Sequence, residues 1–231
     1  MHLHLPKPLH GWRAFTGEVG IIVIGVLIAL GAEQVVEGMH WRHTVETERR
    51  ALDGDVADMW NAMSGRVIIE HCVDQRLAEL KLVLDRHKHG QSLGIFGPVG
   101  RPGVWTASAN ALQMASADQS LSHMSFADKQ AYFGVYGSYA DFERAAFEER
   151  ATWRTLDMLN DPESLDETDW RDVRRAYQNA LDSNRAFKAN LVFGTSGQWL
   201  TPFAHFGRFP DNKAALTIPM VQDLCRPAVK R

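Results

Sequence analysis

The stretch GEVGIIVIGVLIALGAEQ, Gly17 to Gln34, decides how this chain is organised. Between Val19 and Ala32 it carries no charged or strongly polar side chain. As a helix that run is only about 21 Å long, against a hydrocarbon core of about 30 Å. Its flanks add the missing length. Trp12 and Trp41 are each followed by an arginine, in GWR ending at Arg13 and in HWR ending at Arg42. On one helix the two indoles stand about 43 Å apart, the thickness of a bilayer with its headgroups. Tryptophan and arginine suit the two interfaces. The pattern predicts a tail over residues 1–13 and a transmembrane helix over 14–36, with Trp12, Arg13, Trp41 and Arg42 as interface anchors. The competing reading is a cleaved signal peptide, with Lys7 and Arg13 ahead of the apolar centre and Ala29-x-Gly31 as the cut. Against it, the helical pattern runs on past that point without a break.

The same frame puts Glu18 about 9 Å inward of Trp12 and Glu33 about 12 Å inward of Trp41, both just inside the hydrocarbon edge. A carboxylate there is costly and normally finds a partner or a wet cavity. At 100° per residue, Gly25, Ala29 and Ala32 fall within about 40° of Glu18. Stripes of small residues let transmembrane helices approach closely. The expectation is a helix–helix interface made by Glu18, Gly25, Ala29 and Ala32, with Glu33 at its edge. The alternative is a plain anchor whose glutamates snorkel to the headgroups.

Beyond the membrane the chain reads as all-α. Val45, Leu52, Val56, Met59 and Met63 recur at helical spacing, as do Val73, Leu77, Leu80 and Leu84. This predicts a helical stalk over 37–90, as one helix or as two broken near Gly65. Five glycines from Gly90 to Gly103, with two prolines, then mark a surface loop over 91–104. That loop lacks the G-K-[ST] of a phosphate-binding P-loop. A helical bundle is predicted over 105–193, antiparallel in topology. Its pieces are a helix over 106–120, a long helix capped by Ser125 and running to about residue 160, and another over about 170–193. Phe126, Tyr132, Phe133, Tyr136, Tyr139, Phe142 and Phe147 on the long helix read as bundle core. Residues 194–231 show no periodicity and read as an irregular tail.

The 231 residues carry a net charge of −3 with scattered Lys and Arg, which excludes a nucleic-acid footprint. Ten histidines prompt a search for metal ligands. Only one E-x-x-H pair exists, Glu37–His40, where a di-iron bundle needs two. His2 and His4 belong to the tail, and His87 and His89 lie on different sides of a helix end. TSGQW at Thr195–Trp199 is not a G-x-S-x-G nucleophile elbow. No enzyme activity, metal or other cofactor is expected. Cys72 and Cys225 fit no C-x-x-C spacing. They could form one long-range disulfide in an oxidising compartment, or remain two unrelated buried thiols.

Gly17-Glu18, then IGVLIAL at Ile24–Leu30, then Gln34, resembles the amino-terminal signature of a bacterial family of single-pass membrane proteins of unknown function. Residues 105–112 and 132–136 are similar to that family's later pattern, an aromatic leading into a small-residue helix and then a tyrosine-bearing helix. Here Ala109-Asn110 replaces the usual serine–glycine. The resemblance implies an envelope protein with a helical extramembrane domain and brings no activity or catalytic residues. The acid-free N-terminal tail and the cysteine pair favour a cytoplasmic N-terminus and a periplasmic C-terminal domain at the bacterial inner membrane. The expected role is structural or accessory: the chain associates with itself or docks on a larger membrane complex, its partners being the bilayer and other membrane subunits. The alternative is an oligomer that handles ions or protons with Glu18 lining a path.

Overall fold

The computed structural model describes residues 11–196 and 213–230. His2, His4 and Lys7 lie outside them. The first helix, α1, runs Gly11–Ile68 as 58 unbroken residues, about 87 Å. α2 is Glu70–Lys88, α3 Ala111–Ala117, α4 Phe126–Leu156, α5 Glu167–Ser196 and α6 Pro219–Cys225. There is no strand among the described residues. Ile95 and Val229 form a single antiparallel bridge. The chain is all-α, with one long apolar N-terminal helix that continues into further helices.

α1 does two jobs in sequence. Its apolar part is exposed, and its later part is a core helix. Leu52, Val56, Met59 and Ala62 are buried on one stripe against α3 and α4. Residues 45–68 are therefore no stalk standing apart, as the periodicity implied; that periodicity marks the body's own core. The break comes at Ile69, not at Gly65. The Ile69 carbonyl accepts from both Cys72 N and Val73 N. Gly65 has a packing role instead: a Cβ there would come within 2.5 Å of the Trp105 ring.

α4 starts where Ser125 accepts from Asp128 N at 3.1 Å. It climbs alongside α1 in the same direction, as Arg49–Asp128 (2.6 Å), Asp53–Tyr132 (2.8 Å) and Arg66–Glu149 (3.0 Å) show. α5 returns antiparallel: Phe187 packs on Phe142, Lys188 meets Asp74, and Trp170 stacks on His87. Only some of the aromatics on α4 are core. Tyr132, Tyr136 and Tyr139 are buried, while Phe126, Phe133 and Phe147 are exposed on another face.

Two segments depart from the sequence reading. Residues 106–110 are not helical. Ala107 N donates to Tyr139 Oη and Ala111 N to Asp55 Oδ2, so tertiary partners replace the helical ones. Nor is the C-terminal region irregular throughout. Lys213–Thr217 forms a 3-10 turn ahead of α6. The Gly/Pro loop is partly interior. Val99 is buried, Phe96 N donates to Ala228 O, and Lys230 N donates to Gly94 O. Gly100, at φ +61°, lies so close to α6 that a Cβ would reach 2.4 Å from Leu224 N.

Candidate functional site

Among the described residues, the apolar arm is a long exposed apolar surface. Ile21, Ile22, Leu27 and Ile28 are each well over half exposed, and none of the most apolar window of α1 is buried. This helix is long and apolar enough to cross a membrane by length and composition. Glu18, Gly25, Ala29 and Ala32 are all exposed on it. Trp12 is exposed at its start, and Arg13 lies on the same helix with its side chain outside the described residues.

The body packs on one side of α1. At 100° per residue the buried stripe centres on the direction of Trp41, with Met59 at about 0°, Leu52 at about 20° and Val56 at about 60°. Glu18, Gly25, Ala29 and Ala32 point about 120° to 180° away from it. The small-residue face is turned from the body. Trp41 is not free, as a lone anchor would be. His123, in the 3-10 turn Ser120–His123 ahead of α4, stacks on it with ring centroids 3.8 Å apart. Arg42 is exposed beside it.

The body's interior holds a polar network that links α1, α4, α5 and α2. Arg66 grips Glu149 through two bonds of 3.0 Å, and each side chain is 2 % exposed. Arg66 Nη2 also donates to Asn184 Oδ1 at 2.9 Å, and the guanidinium lies 4.8 Å from the Phe187 ring centre. Asn184 passes the connection on, donating to Asp74 Oδ1 at 2.7 Å. Lys188 holds the same carboxylate at 2.6 Å. Burial pushes the Asp74 pKa up, but hydrogen bonds from Lys188 and Asn184, with the lysine's charge, outweigh it and hold the group below the usual carboxylate value. Lys188 is raised in turn by the Asp74 hydrogen bond. A signal for the network existed: Arg66 sits four residues after Ala62, and Glu149 between Ala146 and Trp153, each a charge inside an apolar stripe.

A second group clasps the C-terminal segment. Cys72 is bonded to Cys225 with an S–S distance of 2.04 Å, across 153 positions of sequence. Arg76, buried on the same helix, donates to the carbonyls of Asp223 and Leu224 at 2.8 and 3.3 Å, and Glu79 lies 3.1 Å from its Nη1. A cation on the last carbonyls of α6 satisfies acceptors that the helix itself leaves unpaired. Burial holds the Arg76 pKa down, against the opposing pull of Glu79.

Between α2 and α5 lies a cleft of about 300 Å³ lined by Asp74, Leu77, Tyr177, Leu181, Asn184 and Lys188. The Asp74 and Lys188 charges neutralise one another, and Arg185, which also lines the cleft, pairs with Asp182 at 3.3 Å, so it presents no unsatisfied ion. No group of three or more metal-ligating side chains occurs among the described residues. Each buried carboxylate named here has its own donors, and this arrangement holds helices together. No protein-family model, curated protein or solved structure matches the chain.

Proposed function

We propose that this chain is a single-pass membrane protein whose helical body serves a structural or accessory role, associating with itself or docking on a larger membrane complex through the arm. The observation that carries the reading is the arm: an apolar run left bare over its whole most apolar window, on the same helix whose later part is buried at Leu52, Val56 and Met59. Its small-residue side supports the assignment. Glu18, Gly25, Ala29 and Ala32 are turned from the body, so a partner helix can approach there without meeting it. We read the chain as a relative of the bacterial single-pass family whose signature it resembles. The Cys72–Cys225 bond favours an oxidising compartment, hence the N-terminus in the cytoplasm and the body in the periplasm. A path for ions along Glu18 would need several copies around it. It stays the second reading, because the exposed Glu18 serves an interface equally well.

The test is extraction followed by sizing. The full-length chain should stay with the membrane pellet in alkaline carbonate, and a soluble form beginning near Ala32 would reject the anchor. In mild detergent, Gly25→Leu should shrink the particle. Glu18→Gln should do so only weakly, because intramembrane hydrogen bonds average about 0.6 kcal/mol. Leu27→Ala, on another side, should leave it unchanged. One size for all four proteins would reject the interface.

A further inference from the structure

Among the described residues, the body's lowest point along α1 is the turn before α4. Asp118 faces Glu48, and from there the chain descends until His123 stacks flat on Trp41. α4 then turns back and climbs away, passing Arg49 at Asp128 and Asp53 at Tyr132. Because α1 is one continuous helix through this region, these contacts fix the height of the turn relative to the apolar run. Met39, Val36 and Val35, all exposed, lie immediately below Trp41 on α1. If Trp41 lies in the interface, the ring stacked face to face upon it lies there too.

We infer that the turn over residues 119–123 is seated in the phospholipid headgroup layer, so that the body rests on the bilayer surface. The inference deepens the proposed function and rests on its reading that α1 crosses the membrane. The exposed groups of the turn suit that layer. Gln119 and His123 offer N–H donors to phosphate and ester oxygens, Ser122 is exposed with its hydroxyl already donating to Gln119 O, and the turn carries no Lys or Arg. On the neighbouring part of α1, Arg42, Arg49 and Arg50 balance Glu37, Glu46 and Glu48. Charge is mixed, so the contact follows from depth and calls for no anionic lipid. The occupant is the headgroup layer of an ordinary zwitterionic phospholipid.

The full chain is placed in phosphatidylcholine vesicles with a nitroxide on one added cysteine, at Val26→Cys, Ser122→Cys or Ser138→Cys. The native cysteines are bonded to each other and do not take the label. Ser138 is exposed on α4, roughly 25 Å further out than Trp41 at 1.5 Å per residue. The measurement is the ratio of collisions with oxygen to collisions with a water-soluble nickel complex, which cancels local crowding. The expected order is high at 26, intermediate at 122 and low at 138. A ratio at 122 equal to that at 138, with 26 still high, would overturn the seating and leave the anchor standing. A ratio at 122 as high as at 26 would place the turn in hydrocarbon and overturn it equally. A low ratio at 26 would overturn the membrane-spanning reading itself.

Discussion

Replacing Arg66 by methionine removes the cation from a carboxylate that has no water to fall back on. Glu149 would keep its burial and lose both of its 3.0 Å donors, and Asn184 Oδ1 would lose its own. Breaking one side of a buried pair in this way costs about 3–5 kcal/mol. A whole domain is held by only about 5–15 kcal/mol, so the variant should sit near the edge of folding. The loss belongs to the stranded charge more than to the missing bond. The double variant Arg66→Met, Glu149→Met replaces the pair by apolar side chains of similar reach and should recover most of the stability. What persists is about 1 kcal/mol for the Asn184 oxygen left without its donor. The assay is guanidinium unfolding of the full chain in mild detergent, followed by near-ultraviolet circular dichroism. That signal reports the packing around buried Trp153, whereas a far-ultraviolet signal would be held up by the apolar helix. A single variant within about 1 kcal/mol of the parent would refute the reasoning, because Glu149 would then have to be solvated or otherwise paired. So would a double variant no more stable than the single one.

Reducing the Cys72–Cys225 bond, or replacing both residues by serine, should lower the guanidinium midpoint by the equivalent of up to about 5 kcal/mol, since the bond closes a loop of 153 positions; an unchanged midpoint would mean that the C-terminal segment is held by Arg76 and packing alone. Gly90 and Gly100 both have φ near +60°, but only Gly100 has backbone against it. Gly90→Ala should therefore lose about 1 kcal/mol, the strain alone, and Gly100→Ala clearly more; equal losses would contradict the close approach to Leu224. Asp74 should titrate below the ordinary carboxylate value of 3.8 by carboxyl-carbon NMR, and Lys188→Met should move it upward, because burial remains when its main donor is gone. Its pairing stabilises the fold above that ordinary value and fades as pH falls through the lowered one; at 46 % exposure for Asp74 the effect stays under about 1 kcal/mol. A midpoint that does not respond to Lys188→Met would reject the pair.

What could be read from the amino acids alone was whatever neighbours along the chain decide. The apolar run marks the part of α1 that is long and apolar enough to cross a membrane, because hydropathy and helical rise need no partner. Ser125 and Asp128 begin α4, because an N-cap bond closes within four residues. The all-α class followed from the same local periodicity. Other features depended on groups far apart in sequence. The stripe at Leu52, Val56 and Met59 has one periodicity whether it faces a stalk's partner or its own body, and only the packing of α3 and α4 shows that it is core. Phe126, Phe133 and Phe147 recur every seven or fourteen residues as core positions do, yet the buried stripe of α4 runs through Tyr132, Tyr136 and Tyr139, where Asp53 and Asp55 accept the first two hydroxyls. The segment over 106–110 gave up helix for bonds to Tyr139 and Asp55, which lie 32 and 56 positions from the residues they bind. Arg66 and Glu149 stand 83 positions apart, so a charge inside each apolar stripe was visible in the sequence, but that the two belong to each other depends on helices brought side by side by the fold.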